Sequence, residues 1–434
     1  MKTLIIGSGG REHAIVWSLR RTNPQLEIYC SPGNGGIAEM ARCVSIQPTE
    51  QAALVQFAKS EGIDLTVVGP EGPLVAGLVD AFEGAGLNVF GPNSAAARLE
   101  GSKAFAKEFM ARNGIPTAAY RIANSPNEAL DIVRSRKVTS LGQSVVIKAS
   151  ALAAGKGVIV ANSQSQAEKG ISELAGSGLA GTSDKPFVIE EALVGREASV
   201  LVFADGRDYV LMPPARDHKR IGENDTGPNT GGMGSITDSS ILDAGTLEQV
   251  ISEIIEPTLE GAQREGFPFK GVLFFGLMLT ADGPKVLEYN VRFGDPETQA
   301  ILVRLRSDLL TILRATRERS LAKTNVQWTE GSSACIVLAN RGYPGKHDSG
   351  AVIHGLGDLK PDDIQVFHAG TEKSSSGDFV ATGGRVLGVT CAGLTLAEAL
   401  GRCYAAVNNI RWDGMQFRRD IGRFTIQQST TGRA

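Results

Sequence analysis

Cysteine is scarce in this chain and poorly spaced for chemistry. The five residues Cys30, Cys43, Cys335, Cys391 and Cys403 are odd in number and include no Cys-x-x-Cys pair. A disulfide framework and a cysteine zinc site are therefore not expected, and the thiols are expected to be free and buried in a reducing compartment. Long apolar runs are also missing. No stretch reaches the roughly 18 residues needed to span a bilayer, and the chain starts directly on a strand-like Lys2–Ile6, with no leader of the secretory kind. A cytoplasmic location follows as the expectation. Neither sign of charge is in excess: 44 Lys and Arg against 47 Asp and Glu leave a net charge of −3. No general field draws the chain to nucleic acid or membrane, although a local basic site for a phosphorylated small molecule stays open. Only His13 and His218 lie near candidate loops, and no serine or cysteine is placed with a histidine for nucleophilic catalysis.

What is present in quantity is glycine, 52 residues in 434, well above the average usage of roughly 7%. The glycines gather at 7–10, 33–36, 153–157, 227–234 and 383–384 without a fixed period. Such clustering points to ligand loops lined by backbone, not to collagen or low complexity. Hydrophobic content of 42% and charged content of 21% are those of an ordinary globular protein. At this length two to four lobes are expected.

Residues 1–92 alternate short apolar strands with helices, and Gly/Pro loops follow the strands. A parallel, doubly wound sheet is the expected result, with ligands beyond the carboxyl ends of its strands. The first loop is not a dinucleotide fingerprint. Glu12 stands where the third glycine is needed, and the second strand ends in Cys30-Ser31-Pro32 without an acidic residue for a ribose. A phosphate of another ligand still suits that helix N-terminus. A helix is expected over 94–113, broken near Gly101-Ser102. A compact α/β segment of about 118–190 carries strands at Val145–Lys148, Gly157–Val160 and Phe187–Glu190. A larger α/β segment spans about 191–325. The tail, 326–434, holds strands at Ala334–Leu338 and Val386–Thr390 and a helix over 394–408.

The chemistry concentrates in two stretches. Gly227–Gly234 reads Gly-Pro-Asn-Thr-Gly-Gly-Met-Gly, too rich in glycine for a core element, so its backbone should come close to something small. Residues 288–297 present Glu, Asn, Arg, Asp and Glu after an apolar run. Glu288 and Asn290 lie two apart on a strand end, so they share a face. Hard cations such as Mg²⁺ take oxygen ligands of that kind, with substrate phosphates completing the shell. Taken alone, the pair of stretches could also be a polar hairpin edge and a flexible loop. Lys148 ends an apolar strand before a small-residue loop and can pair with phosphate, the lesser alternative being a lysine that snorkels to solvent. Lys103 is a second such candidate. The loop at Gly155-Lys156 is not a Walker A motif, lacking the upstream glycine and the following Ser or Thr. Glu190 to Val194 offers extended backbone for an adenine edge, and Glu197 could accept from ribose hydroxyls. Asp217-His218-Lys219-Arg220 suits an anionic substrate, or is a plain surface run.

Several of these segments match a known family. Gly7-x-Gly-Gly-Arg-Glu-His13, Pro32-Gly-Asn34, Val68-Gly-Pro-Glu71, Gly101-Ser-Lys103 and Leu152–Val158 are joined by Glu190-Glu191, Asp217–Arg220, Gly227–Gly234, Asn290–Gln299, His368–Thr371 and Gly383–Val386. With them the chain resembles the phosphoribosylamine–glycine ligases (glycinamide ribonucleotide synthetases), ATP-grasp enzymes of purine biosynthesis. It departs from their pattern at Ala151, where glycine is usual, and at Val291, where cysteine is usual.

The resemblance implies an α/β chain of ATP-grasp architecture. It would have an N-terminal Rossmann-like domain (1–101), an ATP-grasp domain (102–325) with a lid at about 118–190, and a C-terminal α+β domain (326–434). It implies that ATP and glycine react with 5-phosphoribosylamine through a glycyl phosphate, with Mg²⁺ or Mn²⁺ as cofactor and no nucleic acid, membrane or obligate protein partner. By the same resemblance Lys103, Lys148, Gly155, Lys156 and Gly157 meet ATP phosphates. Glu190, Glu191, Ala192 and Leu193 hold adenine, Glu197 holds the ribose, and Glu288 and Asn290 ligate the metal. Lys148, Asp217 and Arg292 carry catalysis. The glycine and acyl-phosphate site is shaped by Asp217, Lys219, Asn229, Thr230, Gly231, Gly232, Met233, Gly234, Arg292 and Asp295. The phosphoribosylamine meets Gly9, Gly10, Asn34, Gly35, Gly69, Pro70 and Glu71. Two alternatives stand beside this reading: a sister ligase with another acid or amine, and a silent nucleotide-binding protein.

Overall fold

The structure, a computed structural model, describes residues 1–135, 144–153, 157–359, 364–423 and 425. The first lobe is a parallel sheet. Lys2–Gly7 lies between Glu27–Pro32 and Leu65–Val68, with Arg42–Cys43 and Val89–Phe90 at the two edges. Leu4, Ile5, Ile6 and Val67 are buried, because helices such as Gly10–Thr22 and Gln51–Glu61 cover the sheet. A strand buried on both faces reads as a continuous apolar run, and this is why the alternation was visible in the sequence. The short edge strand Arg42–Cys43 was not foreseen; two residues carry no periodicity to read.

The expected helix over 94–113 forms as Ser94–Gly101 and Lys103–Arg112. Ser102 breaks it with an extended backbone, and its hydroxyl accepts from the Phe105 N–H, capping the second helix. The lid is an antiparallel sheet ordered Tyr120–Ala123, Phe187–Glu191, Val145–Ala149, Val158–Ala161. Helices Pro126–Arg134 and Gln164–Gly176 cover one face, where Ile132, Ile147, Ile171 and Phe187 form a separate core. Strand alternation turns Lys148 and Glu190 together to the opposite face.

The third sheet is the largest among the described residues. Its path runs Gly283–Asn290, Lys270–Thr280, Arg196–Asp205, Ala215–Asp217, Gly234–Thr237, Ser332–Asn340, Arg385–Gly393, Gln365–His368. Gly234–Thr237 pairs directly with Ser332–Asn340, so one sheet runs on from the middle of the chain into the tail. That continuity carries Arg385, at the start of a tail strand, toward the Asp217 strand.

Candidate active site

A cavity of about 970 Å³ opens between the lid, the helix pair at 94–112 and the large sheet. Its wall includes Lys148, Gly157, Glu190, Glu191, Ala192 and Leu193 on the lid side, Lys103 on the helix pair and Glu197 on a strand of the large sheet. On the sheet side stand Asp217, Lys219, Asn229, Thr230, Gly231, Glu288, Asn290, Arg292 and Asp295. The cavity thus gathers most of the residues singled out in the sequence. Gly155 and Lys156 lie outside the described residues.

Glu288 is the centre of the charge distribution. Burial opposes its ionisation, but Lys219, Lys148, Lys103 and Arg292 outweigh burial and hold its pKa down at about 2. Lys219 Nζ lies 3.2 Å from Glu197 and 3.7 Å from Glu288, and these carboxylates, Glu197 foremost, push its pKa up. Asn290 Oδ1 accepts from Arg292 Nη2 at 3.0 Å. Gly276 lies opposite Glu288 across the strand pair, and a Cβ there would sit 3.2 Å from Glu288 Cγ, so the glycine leaves that carboxylate room.

Arg292 ties three segments together. It lies 3.3 Å from Glu71 of the first lobe and 3.3 Å from Glu100 of the connecting helix, and it donates to Phe293 O at 3.2 Å. Despite burial, Glu100 and Glu71 raise its pKa further. Asp217 and Glu297 form an acidic pair. Burial first, and then their mutual repulsion, pushes Asp217 well above the usual carboxylate range, and burial raises Glu297 as well. Gly232 presses on this pair with φ of +111°. A Cβ there would run into Pro296 and lie 2.6 Å from Asp217 Oδ1, so only glycine fits.

Sequence reasoning missed four residues here. Arg385 donates to Asp295 O at 2.9 Å and to Gly231 O, and pairs with Asp295 Oδ2 at 2.9 Å. It pins the glycine-rich loop to the tail. Glu100, Glu297 and Lys107 are buried and line the same cavity. Glu297 and Arg385 stood inside quoted motifs; Glu100 and Lys107 gave no signal beyond being charges on a helix.

Other expected residues stand elsewhere. Met233 is fully buried, and Gly234 starts a strand with its backbone against Cys335 O, so Gly232, Met233 and Gly234 are not in the cavity wall. His218 is not a cation in this setting. Burial lowers its pKa to about 4, its Nδ1 faces Gly234 O, and its Nε2 accepts from the Gly422 N–H, so it is a neutral core residue. In the first lobe, Glu12 Oε2 accepts from the Gly9 N–H at 2.6 Å and Oε1 accepts from Arg11 at 2.7 Å. The helix N-terminus that seemed open to phosphate is thus partly satisfied by its own side chain. Gly69 packs against Glu12 with no space for a Cβ. Asn34 donates to Ser8 O and His368 O, both at 2.8 Å, while Gly35 N–H donates to Thr371 O at 2.8 Å. Gly10 packs on Gln299, and Pro70 precedes the helix that begins with Glu71. Of these first-lobe residues, Glu71 reaches the cavity wall.

A lid of antiparallel strands over a sheet that carries Glu288 and Asn290 is an ATP-grasp arrangement. A solved biotin carboxylase domain from Hydrogenobacter thermophilus shares this fold with a TM-score of 0.70 at 17% identity, covering 96% of this chain and 91% of that one. A model described as the ATP-grasp (A) domain of phosphoribosylglycinamide synthetase matches residues 101–298; the N and C domain models of that family match 1–100 and 333–424. The phosphoribosylamine–glycine ligase of Agrobacterium fabrum is 46% identical over 422 residues, 97% of this chain and 98% of that protein. The crystal structure of the Thermotoga maritima phosphoribosylamine–glycine ligase superposes with a TM-score of 0.83 at 34% identity, covering 97% of this chain and 100% of that one. The chain belongs to the phosphoribosylglycinamide synthetase family.

Proposed function

We propose that this protein is an ATP-dependent ligase that joins glycine to 5-phosphoribosylamine, releasing glycinamide ribonucleotide, ADP and phosphate in purine biosynthesis. The observation that carries this reading is one cavity holding both a cationic wall and a buried acidic pair, in a chain of this family. Lys103, Lys148, Lys219 and Arg292 surround Glu288, and Asp217 and Glu297 stand beside them. Phosphoryl transfer needs positioning and charge stabilisation more than a protein nucleophile, and no nucleophile is required of these residues.

In this reading Glu190, Glu191, Ala192 and Leu193 receive adenine, Glu197 the ribose, and Lys103 and Lys148 the phosphates. Gly157 belongs to the phosphate loop, and with it the sequence-based assignment of Gly155 and Lys156. Arg292 and the loop at Asn229, Thr230 and Gly231 orient the glycine carboxylate, with Gly232, Met233 and Gly234 shaping that loop from behind the wall, while Asp217 and Glu297 face its ammonium. Lys219 and Asp295 complete that wall. Gly9, Gly10, Asn34, Gly35, Gly69, Pro70 and Glu71 form the sugar-phosphate end. The carboxylate attacks the terminal phosphorus of ATP and displaces ADP; the sugar amine then attacks the carbonyl carbon of the glycyl phosphate, loses a proton and expels phosphate. The boundaries 1–101, 102–325 and 326–434, with a lid at about 118–190, belong to the same proposal.

The donors suit Mg²⁺ or Mn²⁺. Glu288 stays ionised, and Asn290 adds an amide oxygen on the same face. Two protein oxygens leave the remaining positions to phosphate and water, as Mg²⁺ prefers. When bound, the cation would supply charge neutralisation on the phosphates. Among the described residues no helix is long and apolar enough to cross a membrane. A cytoplasmic enzyme acting on small molecules is the location and partner set that we propose.

The test is ADP release with phosphoribosylamine generated from ribose 5-phosphate and ammonia. ADP should appear only when ATP, Mg²⁺, glycine and phosphoribosylamine are all present. Equal turnover with another amino acid in place of glycine would refute the substrate assignment.

A further inference from the structure

Lys107 lies one helical turn beyond Lys103 on the helix Lys103–Arg112, and its side chain is 2% exposed. Its ammonium donates to Thr117 Oγ1 at 2.7 Å and lies 3.1 Å from Glu190 Oε2. Lys148 Nζ reaches the same oxygen at 3.0 Å and also donates to Leu287 O at 3.1 Å. Two ammonium groups therefore share one carboxylate oxygen. The other oxygen, Glu190 Oε1, is buried without a hydrogen-bond partner, and Glu190 lines the nucleotide side of the cavity. A buried acceptor left bare is costly unless a ligand supplies the donor.

The asymmetry has a physical consequence. With Lys148 as its sole counterion, Glu190 would lose compensation whenever that lysine turned to a phosphate. An uncompensated buried carboxylate protonates or moves. We infer that Lys107 is a positioning residue: it keeps Glu190 paired and oriented, so that Oε1 meets the exocyclic amino group of the base while Lys148 is free to engage phosphate. The inference rests on the reading that places adenine against Glu190. Burial pulls the Lys107 pKa down to about 8 against the pull of Glu190, which leaves it charged at neutral pH. Thr117 Oγ1 in turn donates to Val286 O at 2.6 Å, so the lysine is anchored to the strand that carries Glu288.

Steady-state phosphate release with ATP and with inosine triphosphate provides the test, because the two bases differ in an amino or an oxo group at position 6 and in the proton that the oxo form carries on N1. Lys107→Met should lower the ATP-to-ITP ratio of kcat/KM by roughly 10- to 100-fold, the range of a hydrogen bond to a charged group. The loss should fall on KM for ATP more than on kcat, and Lys107→Arg should restore the ratio. Lys107→Gln, which keeps a donor for Thr117 without the charge, should behave as Lys107→Met and serves if that variant does not fold. Glu190→Gln should also erase the preference, since an amide can accept from an amino group or donate to an oxo group. If Glu190→Gln erases the preference and the neutral Lys107 variants keep it, the role of Lys107 is overturned and the adenine reading stands. If Glu190→Gln keeps the preference as well, the placement of adenine at Glu190 fails, and the inference with it.

Discussion

Arg292→Met should destabilise the protein by about 3–5 kcal/mol at pH 8, the usual range for breaking a buried ion pair by removing one partner. The guanidinium is 3.3 Å from Glu100, whose side chain is 8% exposed, and 3.3 Å from Glu71, which is 34% exposed. At 3.3 Å and an effective dielectric of about 20, one such contact is worth roughly 5 kcal/mol. Solvent screens the Glu71 contact, so most of the loss arises at Glu100. Methionine fills similar volume, which keeps a cavity term small. The deficit should depend on pH. Burial already raises the Glu100 pKa in the intact protein, with Arg292 opposing it. Without Arg292 the native pKa rises further above the unfolded value, so folding takes up a proton in the window between the two. Stability there falls as pH rises, and the deficit is full above the native pKa and shrinks as pH falls toward the ordinary carboxylate range. Equilibrium urea unfolding at pH 8 and pH 5 reads both effects, and Arg292→Met/Glu100→Gln should recover at least half of the loss at pH 8. A deficit below about 1 kcal/mol, equal at both pH values, would refute the reasoning, since that is the range of an exposed pair.

Three further outcomes are expected. Lys148→Ala should lower kcat by roughly 10²–10³, as for loss of one transition-state stabiliser; unchanged turnover would remove Lys148 from the mechanism. Glu288→Gln should sharply raise the Mg²⁺ concentration needed for half-maximal rate, and an unaltered Mg²⁺ titration would refute the ligand assignment. Gly232→Ala forces a side chain onto φ of +111° and into Pro296 and Asp217; kcat/KM for glycine should fall by about tenfold or more, from strain of roughly 1–3 kcal/mol, and a wild-type value would show that the loop does not hold the substrate.

The sequence was most legible where one local rule decides the structure. The parallel first sheet follows from apolar runs ending in Gly/Pro loops, and the Ser102 break from a cap residue after Gly101. Lys103, Lys148, Glu190, Glu288 and Asn290 were readable because each lies at or close to the end of an element. What escaped depends on tertiary placement. Lys107 is one of two lysines on an ordinary amphipathic helix, and only the approach of Glu190 from a strand of the lid makes it a buried ammonium. Arg385 lies 168 residues past Asp217 and 88 past Glu297 in sequence, and the sheet that continues from Gly234–Thr237 into Ser332–Asn340 brings it there. His218 reads as a cation beside Lys219 and Arg220, yet the Gly422 backbone claims its ring from two hundred residues away. Strand pairing at that separation leaves no trace in local periodicity.

The most direct test of the account is the fate of carboxylate oxygen. Glycine labelled with ¹⁸O in its carboxylate should pass one ¹⁸O to inorganic phosphate for each glycinamide ribonucleotide formed, because the bridging oxygen of a glycyl phosphate leaves with the phosphorus. Phosphate released without the label, at full product yield, would contradict activation of the glycine carboxylate in this cavity.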